Sequence, residues 1–215
     1  RRAWFLAPAS AHELAAILYD LPPAPAGPDP CLWERPVGLE CAAGDEGSWS
    51  RLLADPRPAL LALVDRHRFE GLALFLGFEA MDTPQPLARL ATEAEVRRVP
   101  LVDVAELWTG ASWHLWQRPA GIRRTLAAGD RGEDVRALAA LFADLDQQAE
   151  PLTDDRYSAA LEQRVRLFQR GAGLAEDGVL GERTLRALVL ALGRDVSWAS
   201  ALTRLEAAPA AVAGR

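Results

Sequence analysis

The chain has 215 residues, half of them hydrophobic, and carries 30 acidic against 24 basic side chains for a net charge of −6. That much apolar mass can bury a substantial core, while the acidic balance argues against a surface built to neutralise nucleic-acid phosphates or an anionic bilayer. No apolar run approaches the roughly 18 residues that cross a bilayer, and no succession of basic, apolar and small residues marks a signal peptide.

The first element is a short amphipathic helix over residues 10–19, with Leu14, Ile17 and Leu18 on one face behind Ser10, a residue type that caps a first turn. Leu21–Pro30 follows with five prolines and a glycine, so it cannot continue the helix and reads as an extended connector. Cys31 and Cys41 flank Pro36 and Gly38 in a segment able to fold back on itself. A local disulfide and two free thiols both fit that spacing; the disulfide would imply an oxidising compartment such as the periplasm. His12, His67 and His114 are scattered and no second ligand pair accompanies the cysteines, so neither a metal site nor a cofactor is expected.

A second short helix is expected over residues 48–53, after which the chain turns to apolar runs of strand length. Pro58–Val64 and Gly71–Gly77 read as adjacent strands joined by the polar turn Asp65–Glu70, and their near-continuous apolarity predicts burial on both faces. Residues 95–104 alternate around Pro100, and Ser112–Gln117 alternates again with Trp113 on the apolar edge of one face. The tryptophans Trp33, Trp49, Trp108, Trp113 and Trp116 fit either core packing or a sugar-stacking platform. The half before residue 119 is therefore α+β.

After Pro119 the periodicity becomes helical. Val135, Leu138, Leu141, Phe142 and Leu145 form one stripe, Leu161, Val165 and Phe168 a second, and Leu185, Leu188 and Leu192 a third. Gly132-Glu-Asp opens the first helix, Gly171 or Gly173 closes the second, and Gly181 precedes the third. Residues 196–215 fade into small side chains and predict a frayed tail. The expected organisation is thus an α+β domain over 1–118, a helical domain over 119–195, and a tail.

Leu126–Leu138 and, more closely, Val165–Leu185 resemble the three-helix peptidoglycan-binding domain family. The second stretch meets the family pattern V-x-x-F-Q-x-x-x-G-L-x-x-D-G-x-x-G-x-x-T-L at every marked position. Asp177-Gly178 reads as a tight turn whose glycine takes a positive φ, with Phe168 and Leu174 filling the centre. Gln169, Asp177, Gly178 and Thr184 are the candidate ligand-binding residues, the polar ones placed to hydrogen-bond amide or acetamido groups of a muropeptide; the competing role for all four is capping and turn formation. Two departures stand out: Ala139 replaces the usual Gln of the first helix, and Asp144–Thr153 is a long insertion.

Gly38–Leu53, Arg57-Pro-Ala-Leu-Leu-Ala-Leu63, Leu107-Trp-Thr-Gly110 and Leu115-Trp-Gln-Arg-Pro119 resemble the periplasmic region of the general secretion pathway A protein. The resemblance implies a degenerate papain-like cysteine-peptidase fold followed by the peptidoglycan-binding domain. Papain-like cleavage needs a Cys at the start of an early helix and a His on a later strand. Here the early helix offers Ser10 and His12, and the strand begins near Gly71, so no catalytic residues are expected; Cys41 with His67 or His114 is the displaced alternative. The resemblance further implies a noncatalytic periplasmic part of a type II secretion assembly factor that anchors to the wall during secretin assembly. Its partners would be peptidoglycan, the type II secretion B component and the secretin, and it would be tethered to the inner membrane through a segment outside this chain. The alternative function is a cell-wall hydrolase or cysteine peptidase delivered by its binding domain.

Overall fold

The apolar runs of residues 58–77 form the centre of a six-stranded sheet. A computed structural model describes residues 2–44 and 47–208. They divide into one unit that takes in the chain up to Trp116 together with the segment from Val196, and a second, Gln117–Asp195.

In the first unit, β1 (Leu39–Gly44), β2 (Ala59–Val64), β3 (Glu70–Glu79), β4 (Leu87–Ala91), β5 (Val96–Pro100) and β6 (Trp108–Gln117) stand in the order β1-β6-β2-β3-β4-β5. β2 pairs antiparallel with β3, placing Leu61 opposite Ala73 and Ala59 opposite Phe75. Alternation along these strands sends Leu60, Leu72, Leu74 and Leu76 to one core, with Leu14 and Leu18 of α1 (Pro8–Tyr19). Leu61, Leu63, Ala73 and Phe75 go to a second core, with Leu52 of α2 (Trp49–Ala54) and Val104 of α3 (Leu101–Ala105). Both faces are covered, which is why the runs lack a polar face.

Several expectations are corrected. Helix α1 begins at Pro8, whose fixed φ suits a first helical position and whose missing N–H costs nothing there, so Ser10 lies inside the helix and is not its cap. The alternation of residues 95–104 is strand only to Pro100, which has no N–H to extend a ladder; Leu101 turns into α3. Strands β1 and β4 were not anticipated, because stretches such as Leu87-Ala-Arg-Leu-Ala91 offer little β-branched or aromatic bulk.

The frayed tail expected from residue 196 is instead a helix, α7 (Trp198–Ala207), as far as the described residues reach; 209–215 lie outside them. Ser197 and Ser200 form a reciprocal capping box at its start. The Trp198 indole N–H donates to the Arg57 carbonyl at 2.6 Å, and its ring meets Phe75 and Phe78 edge-on at 5.8 and 5.9 Å. Gly77 makes room for it: a Cβ there would lie 2.9 Å from the indole.

In the second unit, α4 (Glu133–Asp146), α5 (Ala159–Gly171) and α6 (Glu182–Ala191) carry the three apolar stripes inward, and Phe142 meets Phe168 edge-on at 5.8 Å. Ser158 caps α5 by accepting from the Leu161 N–H. Single antiparallel bridges, Leu126 with Leu180 and Arg131 with Arg156, tie the connecting segments together.

Replacing Trp198 with Ala removes an aromatic anchor and leaves a void beside Phe75 and Phe78. It should destabilise the first unit by about 3 kcal/mol, measured as a lowered denaturant midpoint; an unchanged midpoint would mean that α7 is not part of the fold.

Candidate functional site

The four residues singled out around the Asp177 turn come together, and they do so by bonding to one another. Gln169, near the end of α5, is 1% exposed and Thr184, in the first turn of α6, is 5% exposed. The Gln169 amide nitrogen shares its two protons among Asp177 Oδ1 at 2.7 Å, the Val179 carbonyl at 3.0 Å and Thr184 Oγ1 at 3.1 Å. Its carbonyl oxygen accepts from the Gly178 N–H at 2.9 Å. Asp177 Oδ1 also accepts from the Val179 N–H at 2.9 Å. That backbone bond first, and the Gln169 amide second, hold the Asp177 carboxyl below the usual carboxylate range.

The turn is closed from the other side as well. Buried Tyr157 donates to the Gly178 carbonyl at 2.7 Å, and burial above all pushes its phenol upward. Gly178 has φ 72°, and a Cβ there would stand 2.9 Å from Arg166 Nε and Glu162 Cγ. Arg166 in turn bonds Glu162 and the Glu176 carbonyl, while Arg170 pairs with Glu176. Gln169 and Thr184 therefore spend their polar atoms inside the domain, whereas Asp177 is exposed and keeps Oδ2 outside these bonds. Ala139 of α4, where the family resemblance leads one to expect a Gln, is buried and offers no amide.

The peptidase-like positions of the first unit are differently employed. Ser10 Oγ donates to Glu93 at 2.5 Å beside a cavity of about 350 Å³ that Phe5, Ser10, Glu93 and Arg97 help to line. His12 is buried edge-on against Trp33 at 5.0 Å, and burial lowers its pKa. At the start of β3, a Cβ on Gly71 would fall 2.2 Å from the Phe5 ring, so that ring fills the room a larger side chain would need. Cys41 is joined to Cys31, with Cα atoms 5.3 Å apart, and is not a thiol. His67 lies exposed in the β2–β3 turn, and His114 is buried on β6 with Nδ1 3.2 Å from the Pro58 carbonyl. Among the described residues no group of His, Cys, Asp or Glu could hold a metal ion, and no helix is long and apolar enough to cross a membrane.

The tryptophans pack inward: Trp33 and Trp116 are buried, and half-buried Trp49 contacts Trp108 at 4.4 Å and Phe78 at 6.0 Å. Sequence reasoning missed Tyr157, whose only signal was an aromatic residue before the Ser158 cap.

A family model described as a putative peptidoglycan binding domain matches residues 131–188, the segment that holds the Gln169–Asp177–Thr184 cluster. Over these residues the chain is similar to that domain family. The chain is also 42% identical over 72 residues to the N-acetylmuramoyl-L-alanine amidase CwlM of Mycobacterium tuberculosis. That match covers 29% of this chain and only 18% of the amidase. Across nearly its whole length, the chain is similar to the periplasmic domain of the EpsAB fusion protein of the Vibrio vulnificus type II secretion system. There the TM-score is 0.58 and the identity 26%, over 95% of this chain and 85% of that one. The peptidoglycan-binding domain and this likeness together support a periplasmic region of the general secretion pathway A kind, with the mixed α+β fold expected of it.

Gln169→Ala would strand the Gly178 N–H in a buried site and leave the Thr184 hydroxyl only its long 3.5 Å bond to the Val179 carbonyl. It should cost about 2–3 kcal/mol of domain stability, read as a lowered Tm; a Tm equal to that of the unaltered chain would show that the amide braces nothing. The depressed carboxyls of Asp130, Asp146, Glu176 and Asp177 predict acid lability. Their stabilisation is complete above the unfolded carboxyl pKa of about 4 and is lost as pH falls through the lower folded values. Thermal melts from pH 7 to 2 should therefore show the main loss of stability below about pH 4, after the loss that buried His12, whose pKa is lowered, adds as pH falls below its unfolded value of about 6.5.

Proposed function

We propose that this chain is the noncatalytic, peptidoglycan-binding periplasmic part of a type II secretion assembly factor. The observation that carries the reading is the Gln169–Asp177–Thr184 cluster within a matched peptidoglycan-binding domain, set in a chain similar over 95% of its length to a periplasmic type II secretion domain. The Cys31–Cys41 disulfide supports an oxidising compartment, in keeping with the periplasm. In this reading the domain anchors the assembly to the wall while the secretin is placed, with the type II secretion B component and the secretin as protein partners. A membrane-tethering segment outside these residues completes the arrangement.

The ligand contacts within the domain are assigned to Asp177 through its free Oδ2 and to the Gly178 turn, with Gln169 and Thr184 holding that turn in shape. The noncatalytic part rests on how the peptidase-like positions are used. The one displaced nucleophile, Cys41, is in a disulfide, and the β3 entry at Gly71 is packed by Phe5.

Co-sedimentation with purified sacculi tests the reading. The whole chain should pellet with sacculi, the form lacking residues 119–195 should stay in the supernatant, and no soluble muropeptide should be released. Failure of the whole chain to pellet would sink wall binding; release of muropeptides would reinstate the hydrolase.

A further inference from the structure

We propose that Arg131 and Arg156 form a fork that binds a carboxylate, taking the free carboxylates of peptidoglycan stem peptides. The inference rests on the wall-binding reading and assigns it a ligand group. Arg131 and Arg156 are direct partners in an isolated antiparallel bridge. The backbone bonds flank the pair, Gly132 N–H to the Asp155 carbonyl and Tyr157 N–H to the Asp130 carbonyl, both 2.8 Å. This makes it a non-hydrogen-bonded pair, the kind in which opposed side chains come closest. Like charges directly opposite each other are destabilising, so the arrangement works against the fold.

Among the described residues no partner relieves that repulsion. Both arginines are exposed, and among the described residues neither guanidinium has a hydrogen bond or ion pair. Elsewhere in the unit Arg124, Arg136, Arg164, Arg166, Arg170 and Arg194 each hold a carboxylate, and Arg123 and Arg183, which likewise have no ion pair among the described residues, do not face a like charge across a bridge. The nearby acids are not recruited. Asp130 is engaged by Arg124 and Glu133 by Arg136. Asp155 alternates to the face of buried Tyr157, and Asp154 forms no ion pair with Arg156. A local rule broken without internal compensation, in a chain with acid to spare, marks a functional position.

The chemistry selects the ligand. Guanidinium groups stay charged at any physiological pH and present planar forks that match carboxylates. Two of them side by side suit an anionic group that the protein itself withholds, and stem peptides offer such carboxylates along the wall.

The test compares the whole chain with the Arg131→Gln/Arg156→Gln double variant, and with Arg136→Gln as a control at a paired arginine. Binding is measured on untreated sacculi and on sacculi whose carboxylates have been amidated with carbodiimide and methylamine. The double variant should bind untreated sacculi about tenfold more weakly. The unaltered chain should lose the same factor on amidated sacculi, where the double variant loses nothing more, and the control should behave as the unaltered chain. Because repulsion is removed, the Tm of the double variant should be equal or higher. Full-strength binding by the double variant, undiminished binding to amidated sacculi, or a lowered Tm would overturn the fork while leaving wall binding intact. If the unaltered chain fails to bind sacculi, the wall-binding reading falls and the fork with it.

Discussion

A primary amide buried away from water must find partners for two protons and its carbonyl lone pairs, and the helical domain is built around how Gln169 does so. Its partners come from three places: the Asp177 side chain, the backbone of Gly178 and Val179, and Thr184 at the head of α6. The turn between α5 and α6 cannot shift without breaking several of these bonds at once. Gly178 is required by both φ and space, and Tyr157 donates to the Gly178 carbonyl. A motif that spans 21 positions thereby reduces to one satisfied amide and the turn it holds.

This satisfaction bears on function. Polar atoms that are spent internally are not available to a ligand, and Asp177 Oδ2 is what this cluster keeps outside its own bonds. Rigid internal bonding is an advantage here, because a turn already ordered loses little entropy on binding.

The first unit follows the same economy in apolar terms. Phe5 packs onto Gly71 where a papain-like fold would carry its imidazole, Trp33 covers His12, and the two sulfurs are spent on a disulfide that ties the turn at Pro30–Leu32 to β1. Trp198 closes the second core from the distal end of the sequence, through Gly77 and the Arg57 carbonyl. His12, Gly71 and Cys41 are thus taken up in packing and a cross-link, and a cavity lies beside Ser10.

The amino-acid order alone determined the features that are local. Stripes at helical spacing marked α4, α5 and α6, continuous apolar runs marked β2 and β3 as buried on both faces, and Asp177-Gly178 marked a turn, because periodicity and φ preference act within a few residues. Strand β4 stayed hidden since its few Ala and Leu residues carry little propensity, and α7 stayed hidden since its sparse apolar residues gain meaning only in the fold, Trp198 against Phe75 and Phe78 and Ala201, Leu202 and Leu205 in the core with α1. Tertiary structure alone decided that Gln169 and Thr184 face inward, that Cys31 meets Cys41, and that Arg131 stands opposite Arg156. The reason is physical: hydrogen bonds, disulfides and charge repulsion depend on distances between groups far apart along the chain, and only the folded packing sets those distances.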